Sequence, residues 1–485
     1  MAMQGSKKEF FNATIATQRF ALGARPDEIK KINDNAQQWL LTQLDASPTV
    51  TFDHALATAN SILIAHTEFT KNRKAFRKQQ ADKTIPTAMA EMDSANQMSE
   101  MQAMSSESKE PEKSKEPKNP HNDFYKALTA DALKQTIESE NSFNWRCLAF
   151  FSNHFSVSAQ GQLMTGLAPT LEREAIAPNL YGHFDELLLA VCQHPAMLIY
   201  LNNENSIGPS TRFAKKNRGL NENLAREILE LHTLGVDGGY QQQDVTELAK
   251  GITGWSVFKP GKDKQQGFIY HKGKHEPGTR TLLGKSYPPQ GLSQGKQMLK
   301  DIANHPSTAR FVSTKIVQSF ISDQAPEELV NHLTTQWIKT NGHLKSVFQA
   351  LINHPLSWQT QQQKYKTPYE YVISTYRALA VKKLNIRQVQ NALNTLGQRP
   401  FKAGSPAGYS DQQQDWDGAS ALMARVNWAS QIAGKKQFAK TNINILIENT
   451  FSNTLSTHSY QVITRAESRQ QALTLLLLSP EFLTR

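Results

Sequence analysis

Residues 221–240 read NENLAREILELHTLGVDGGY, which sets four carboxylates, an arginine and a histidine in one helix-like stretch and its exit. On a helical wheel Glu222, Asn223, Arg226, Glu227 and Glu230 fall within about 140° of one another, with Leu224, Ile228 and Leu231 opposite. Clustered carboxylates and imidazoles bind a divalent cation or exchange protons with a substrate, and an arginine among them neutralises an anion. Hydrolysis of a phosphate, sulfate or glycosidic bond would suit such a set. The same arc also reads as a solvated face, with i,i+4 pairs Glu222–Arg226 and Arg226–Glu230 contributing only about 0.2–0.5 kcal/mol each. A second helix folding back across a glycine turn would place the arc indoors.

The exit of this stretch offers a metal reading. Asp237-Gly238-Gly239-Tyr240 and then Asp244 copy the second half of a calcium loop, with Gly238 as its sixth residue, Asp237 its fifth and Asp244 its twelfth. Thr233 and Gly235 stand at the first and third positions, so a calcium or magnesium ion would need donors from elsewhere. The alternative is a glycine turn that leaves Asp244 in the first turn of the next helix, where the helix dipole favours it.

Helices must do the positioning. Apolar residues make up 39% of 485 and recur at helical spacing over most of the chain, as in YKALTADALKQTIES and FDELLLAVCQHPAMLIYLNN. The strand-like text is Phe268-Ile269-Tyr270 and Arg280-Thr281-Leu282-Leu283, which could pair as a hairpin. Gln193-His194-Pro195, Asn304-His305-Pro306 and Asn353-His354-Pro355 each put proline where a helix can begin, so a recurring helix–turn–helix joint is expected. The expected fold is mainly α: a multi-helix globular array with one small β-hairpin and a long low-complexity loop. Residues 1–80 form an N-terminal helical part of the core. Residues 81–120, with text such as SSESKEPEKSKEPKNP, form a mobile insertion too poor in apolar side chains to order itself. Residues 121–485 form the helical core that carries the motif region 221–284.

The net charge of +11 is spread among alternating signs, and no nucleic-acid-binding signature accompanies it, which weighs against such a partner. Cys147 and Cys192 lie in apolar helical text and read as buried thiols. No run of 18 apolar residues marks a transmembrane segment. As written, the N-terminus has no signal peptide, which places the chain in the cytoplasm; a leader lost from it, or carried by a partner, would place it in the periplasm or outside.

The strings RFALGARPDE (19–28), FFSNHFSVS (150–158), HPAMLIYLNN (194–203), NENLAREILELHTLGVDGGYQQQDV (221–245), ITGW (252–255), HEPGTRTLLG (275–284), HPSTARF (305–311), KTPYEYVIS (366–374) and SPEFLTR (479–485) resemble, in order, the motifs of the bacterial domain-of-unknown-function family 1800. The resemblance runs nearly end to end. It implies a predominantly helical bacterial protein, often found with a sulfatase-like partner family. Two departures stand out. The family tends to read Trp-His-Asn-His-Phe where this chain has Phe151-Ser152-Asn153-His154-Phe155, so a two-histidine metal pair loses its first member. It tends to read His-Asp where this chain has His275-Glu276, which keeps a carboxylate with one more methylene.

Two functions follow as expectations. In one, His154, Glu222, Arg226, Glu230, His232 and His275 converge on a cleft between helices and act as a hydrolase, with or without a divalent cation. In the other, which the reading favours, the same residues form a buried polar network, and the protein is a binding or assembly subunit for an exported sulfatase-like partner.

Overall fold

All three His-Pro joints begin a helix. His194, His305 and His354 are N-caps, each followed by proline at the first helical position, where its fixed φ suits the helix and its missing N–H costs nothing. In each, the imidazole Nδ1 accepts the backbone N–H two residues on, from Ala196, Ser307 and Leu356 at 3.2–3.3 Å. The histidines are thereby spent on caps at three separate joints.

The computed structural model describes residues 13–32, 35–90, 116–214, 219–359, 364–381 and 383–485. Among them the fold is mainly α. The helices that frame the sites below are α1 (Ala59–Ala90), α2 (His121–Glu138), α3 (Ser142–His154), α4 (Gln162–Leu171), α5 (Asn223–Glu227), α6 (Gln242–Gly251), α7 (Pro306–Phe320), α8 (Pro368–Ala378) and α9 (Ala419–Ala433). One apolar cluster runs from Ala13 to Leu483, with the aromatic side chains of Phe20, Phe143, Phe151, Phe155, Phe184 and Phe320 fully buried within it. Both Cys147 and Cys192 are buried free thiols. The last residues are sewn back into the core: Lys364 and Arg485 exchange both backbone hydrogen bonds. Helix α1 continues through Ala90, ten residues into the stretch whose composition marks it as a low-complexity insertion; residues 91–115 of that stretch lie outside the described residues. No helix among the described residues is long and apolar enough to cross a membrane.

Strands form at Phe268–Tyr270 and Arg280–Leu282, where the sequence puts them, but each pairs with a strand that the sequence reading did not mark. Phe268–Tyr270 (β2) joins Trp255–Val257 (β1), and Arg280–Leu282 (β3) joins Lys285–Tyr287 (β4), each antiparallel. The expected pairing of 268–270 with 280–283 does not form. Leu283 and Gly284 both take positive φ (51° and 76°), which closes β3 onto β4 in the tight two-residue turn that matches strand twist. That local closure wins over the longer loop to β2.

Three π turns interrupt the helices among the described residues, at Ala16–Phe20, Glu172–Ile176 and Ile228–His232. A π turn has a longer repeat than an α-helix, so residues four apart stack instead of drifting round the axis. Each of the three delivers a polar side chain to the interior: Arg19, Glu172 and His232.

Candidate functional site

The π turn after α5 reshapes the arc that the sequence proposes. Leu224, Ala225, Ile228, Leu229 and His232 are buried, whereas Leu231, which an uninterrupted α-helix would turn inward, is only partly so. His232, one turn beyond the buried Ile228, stays on the apolar side and meets His154 in the core. His232 Nδ1 lies 3.1 Å from the His154 carbonyl and His154 Nε2 lies 3.1 Å from the His232 carbonyl, with Phe155 against both rings. Burial, and next the charge of Lys315, push the His232 pKa down to about 3 and hold His154 well below the usual imidazole range. Both rings are neutral clasps between α3 and the π turn.

Glu222, Arg226 and Glu230 stay at the rim. Helix α6 does fold back on this face, as expected, but its contribution is polar. Thr246 and Gln242 donate to Glu222 at 2.7 and 2.8 Å, and Gln242 accepts from Arg226 at 2.9 Å. The Glu222–Arg226 pair at 3.4 Å keeps 29% and 40% of its two side chains exposed, and no ion pair from Arg226 to Glu230 forms among the described residues. The arc is a half-wet helix contact rather than a buried network.

His275 belongs to neither group. Its Nδ1 lies 3.1 Å from the Thr253 carbonyl, with Tyr270 against the ring, and burial lowers its pKa. Its neighbour Glu276 accepts the backbone N–H of Ser210 at 2.9 Å. This pair pins the 206–210 loop to the end of α6, and the single cleft expected for His154, Glu222, Arg226, Glu230, His232 and His275 is not assembled. Asp237 is exposed on the glycine turn. Asp244 spends both oxygens on backbone N–H groups, capping α6 at Gln241 (2.8 Å) and holding Leu283 of the β3–β4 turn (2.8 Å). Among the described residues no three His, Cys, Asp or Glu side chains come together as a metal-binding group, so the donor set does not fit the calcium or magnesium site that the loop spacing suggests.

A different cleft runs along α3 and borders the clasp at His154 and Phe155, with a chamber of about 130 Å³ beside a polar end of about 50 Å³. Ala149, Asn153, Tyr369, Gln398 and Tyr409 line both parts, so they form one cleft. Its floor is α2, α3 and the π turn after α4; its roof is the 397–411 loop that precedes α9. Asn153 holds that roof by a two-way amide match, donating to the Tyr409 carbonyl at 2.8 Å and accepting its N–H at 2.8 Å. Gly408 passes so close that a Cβ there would sit 2.4 Å from the Asn153 carbonyl, which fixes glycine at this point. Tyr125 and Ala159 bond the carbonyls of Pro400 and Phe401.

Glu172 reaches the chamber from the first residue of its π turn, and Ser152 on α3 donates to its Oε2 at 2.6 Å. Burial raises the Glu172 carboxyl pKa to about 7, with the Ser152 bond and Arg173 opposing the shift. At the polar end Glu370 on α8 receives two guanidiniums, Arg146 from α3 and Arg485 from the chain end, all three nearly buried. Lys315 of α7 and Asp411 of the roof complete that end. Sequence reasoning missed Glu172, Ser152, Arg146, Glu370 and Lys315. Four strings quoted for the resemblance contain or border members of this set: FFSNHFSVS holds Ser152 and Asn153, KTPYEYVIS holds Tyr369 and Glu370, SPEFLTR ends on Arg485, and HPSTARF ends four residues before Lys315.

The fold and cleft define a mainly helical protein whose interior carries a chamber of about 130 Å³ with a buried carboxyl in its wall. The chain belongs to the DUF1800 family, described as proteins of unknown function, whose profile matches residues 15–484. No curated protein and no solved structure matches it.

Proposed function

We propose that the cleft under the 397–411 loop is the working centre, and that the chain is a hydrolase in which Glu172 exchanges a proton with a small organic substrate. One observation carries this reading: a carboxyl balanced near neutrality in the wall of a chamber of about 130 Å³, with a hydroxyl 2.6 Å away. A proton carrier works best when its pKa lies near the working pH, and carboxyls reach that range by burial beside a cavity. On the measure at which one water needs roughly 10–15 Å³, the chamber takes on the order of ten waters or one side-chain-sized group. Glu172 takes a proton from water as the water oxygen bonds to the ester centre, and returns it to the leaving oxygen as the ester bond breaks; Ser152, donating to Glu172 Oε2, orients the carboxyl, and Asn153 holds the roof closed. This reading uses no metal. Its test is a panel of chromogenic carboxylate, phosphate, sulfate and glycoside esters. Turnover by the wild type that is lost in Glu172→Gln, with unfolding unimpaired, supports it. Equal turnover by both proteins, or none by the wild type, overturns it.

A second reading, a binding or assembly subunit for which the family resemblance suggests a sulfatase-like partner, draws on exposed apolar side chains near the C-terminus. Leu422 and Met423 project from α9, and Ile445, Tyr460 and Val462 from two later helices, Ile443–Phe451 and Thr457–Thr464. Scattered apolar exposure is common, so it supports this reading only as a patch. A co-expressed sulfatase-like protein that binds wild type and Glu172→Gln alike but not Met423→Asp would favour it; binding unaffected by Met423→Asp counts against it.

A further inference from the structure

The polar end of the cleft has more cation than carboxylate. Arg146 and Arg485 share the one carboxylate of Glu370, with Glu370 Oε1 between them and Oε2 also taking the Thr367 N–H. Arg146 Nε is buried without a hydrogen-bond partner. Lys315 lines the same end and makes no hydrogen bond or ion pair among the described residues; its ammonium rests 5.5 Å from the Phe311 ring centroid. Burial lowers its pKa, and Asp411 is the charge that opposes that shift. His154 at this end is neutral for the reasons above, and burial raises the Tyr369 and Tyr409 phenols, which stay protonated. Three cations thus face two carboxylates at this end, and a partly buried cation left short of partners is costly. The chamber next door is lined mainly by apolar side chains, including Leu133, Phe155, Val157, Leu171, Ile176 and Phe401.

We propose that the cleft recognises a small organic molecule bearing an oxyanion, with its apolar body in the chamber against Glu172 and its charged group at Lys315 and Arg146. This deepens the reading of the cleft as the working centre and rests on it. A charged group there supplies the hydrogen bonds that Lys315 lacks and leaves the neutral part of the molecule beside the proton carrier. Carboxylate, sulfonate and phosphate share this chemistry, and the probes separate them by shape.

The test is calorimetric titration of the full chain with benzoate, benzenesulfonate, phenyl phosphate, inorganic sulfate and the neutral analogue benzamide. At least one aromatic anion is expected to bind about tenfold or more tightly than benzamide, Lys315→Met to remove that preference, and Lys315→Arg to restore most of it, since one charge-assisted hydrogen bond accounts for a change of that size. If benzamide binds as well as the anions and Lys315→Met changes nothing, the anion end is overturned while the cleft stands. If no aromatic probe binds the wild type, the cleft reading falls with it. Binding of sulfate alone, unaffected by Lys315→Met, is adventitious and overturns the proposal as well.

Discussion

His154 and His232 each lie 3.1 Å, through one ring nitrogen, from the other's backbone carbonyl, which couples the C-terminus of α3 to a π turn 78 residues away. In this geometry each ring donates: Nε2–H of His154 and Nδ1–H of His232. The two remaining nitrogens, His154 Nδ1 and His232 Nε2, are buried without partners. Such a clasp holds only while both rings are neutral, because a proton on either unpartnered nitrogen would be a buried charge with no acceptor.

Acid should therefore loosen the clasp. A histidine whose folded pKa is depressed contributes its full stability above the unfolded value of about 6.5 and loses it as pH falls toward the folded value, here about 3 for His232. Between pH 6.5 and 4.5 that amounts to about 2–3 kcal/mol from this ring, at 1.36 kcal/mol per unit. The substitution His232→Asn keeps a donor near the position of Nδ1 and cannot titrate. Its deficit in denaturant midpoint at pH 7 should shrink by about that amount at pH 4.5. A deficit independent of pH would mean that His232 is not held neutral.

Glu172 carries the opposite sign. Its folded pKa of about 7 stands above the ordinary 4.5, so its contribution to stability is fully present below pH 4.5 and is lost as pH rises through 7. Glu172→Gln keeps an acceptor for Ser152 and removes the ionisation. The variant should match wild type near pH 4 and exceed its stability by about 3 kcal/mol at pH 8. Chemical denaturation of both proteins at the two values checks this. Equal stability at pH 8 would return Glu172 to the ordinary carboxylate range and remove the support for the proposed proton carrier.

The architecture was readable because helical spacing, His-Pro joints and strand text are local signals. The candidate site was not, and the reasons are particular. Glu172 stands in LEREAIAP beside Arg173 and Glu174, which reads as surface charge, although it shares the buried helix face of Ala168, Ala175 and Ile176. The π turn at Ile228–His232 turned Leu231, which the wheel sets opposite the carboxylates, partly outward. Glu370 reads as the third residue of a capping box with Thr367, and it is one, but its two guanidinium partners come from residues 146 and 485, separations that no spacing argument reaches. The strand pairing failed for a related reason, since Trp255–Val257 does not alternate in burial and gives no period-2 signal.

Arg226 illustrates the correction in energetic terms. A buried arc predicts a loss of about 3–5 kcal/mol for Arg226→Ala, but a side chain 40% exposed beside a neutral glutamine predicts no more than about 1 kcal/mol. Arg146, 5% exposed and bound to Glu370, takes over the larger figure: Arg146→Ala should cost about 3–5 kcal/mol because it leaves part of a buried carboxylate uncompensated. Paired denaturation curves would reverse this assignment if Arg226→Ala proved the costlier change.

Asp244 is the remaining test of the metal reading. Its Oδ2 caps α6 by accepting the Gln241 N–H, and its Oδ1 accepts the Leu283 N–H at the turn of the β3–β4 hairpin. A carboxylate already bonded through both oxygens to backbone donors meets the helix dipole with the right sign and has little reason to recruit a cation. Asp244→Ala removes the cap and the tether together, and should destabilise by about 2–4 kcal/mol, the sum of one cap and one charge-assisted hydrogen bond. Asp244→Asn should fall between, because its amide keeps a single acceptor oxygen for two donors. The midpoints of all three proteins should be the same in millimolar calcium or magnesium as in chelator. If calcium raises the wild-type midpoint and Asp244→Asn abolishes the rise, an ion does bind at this turn, and the carboxylate must release one of its two N–H partners to hold it.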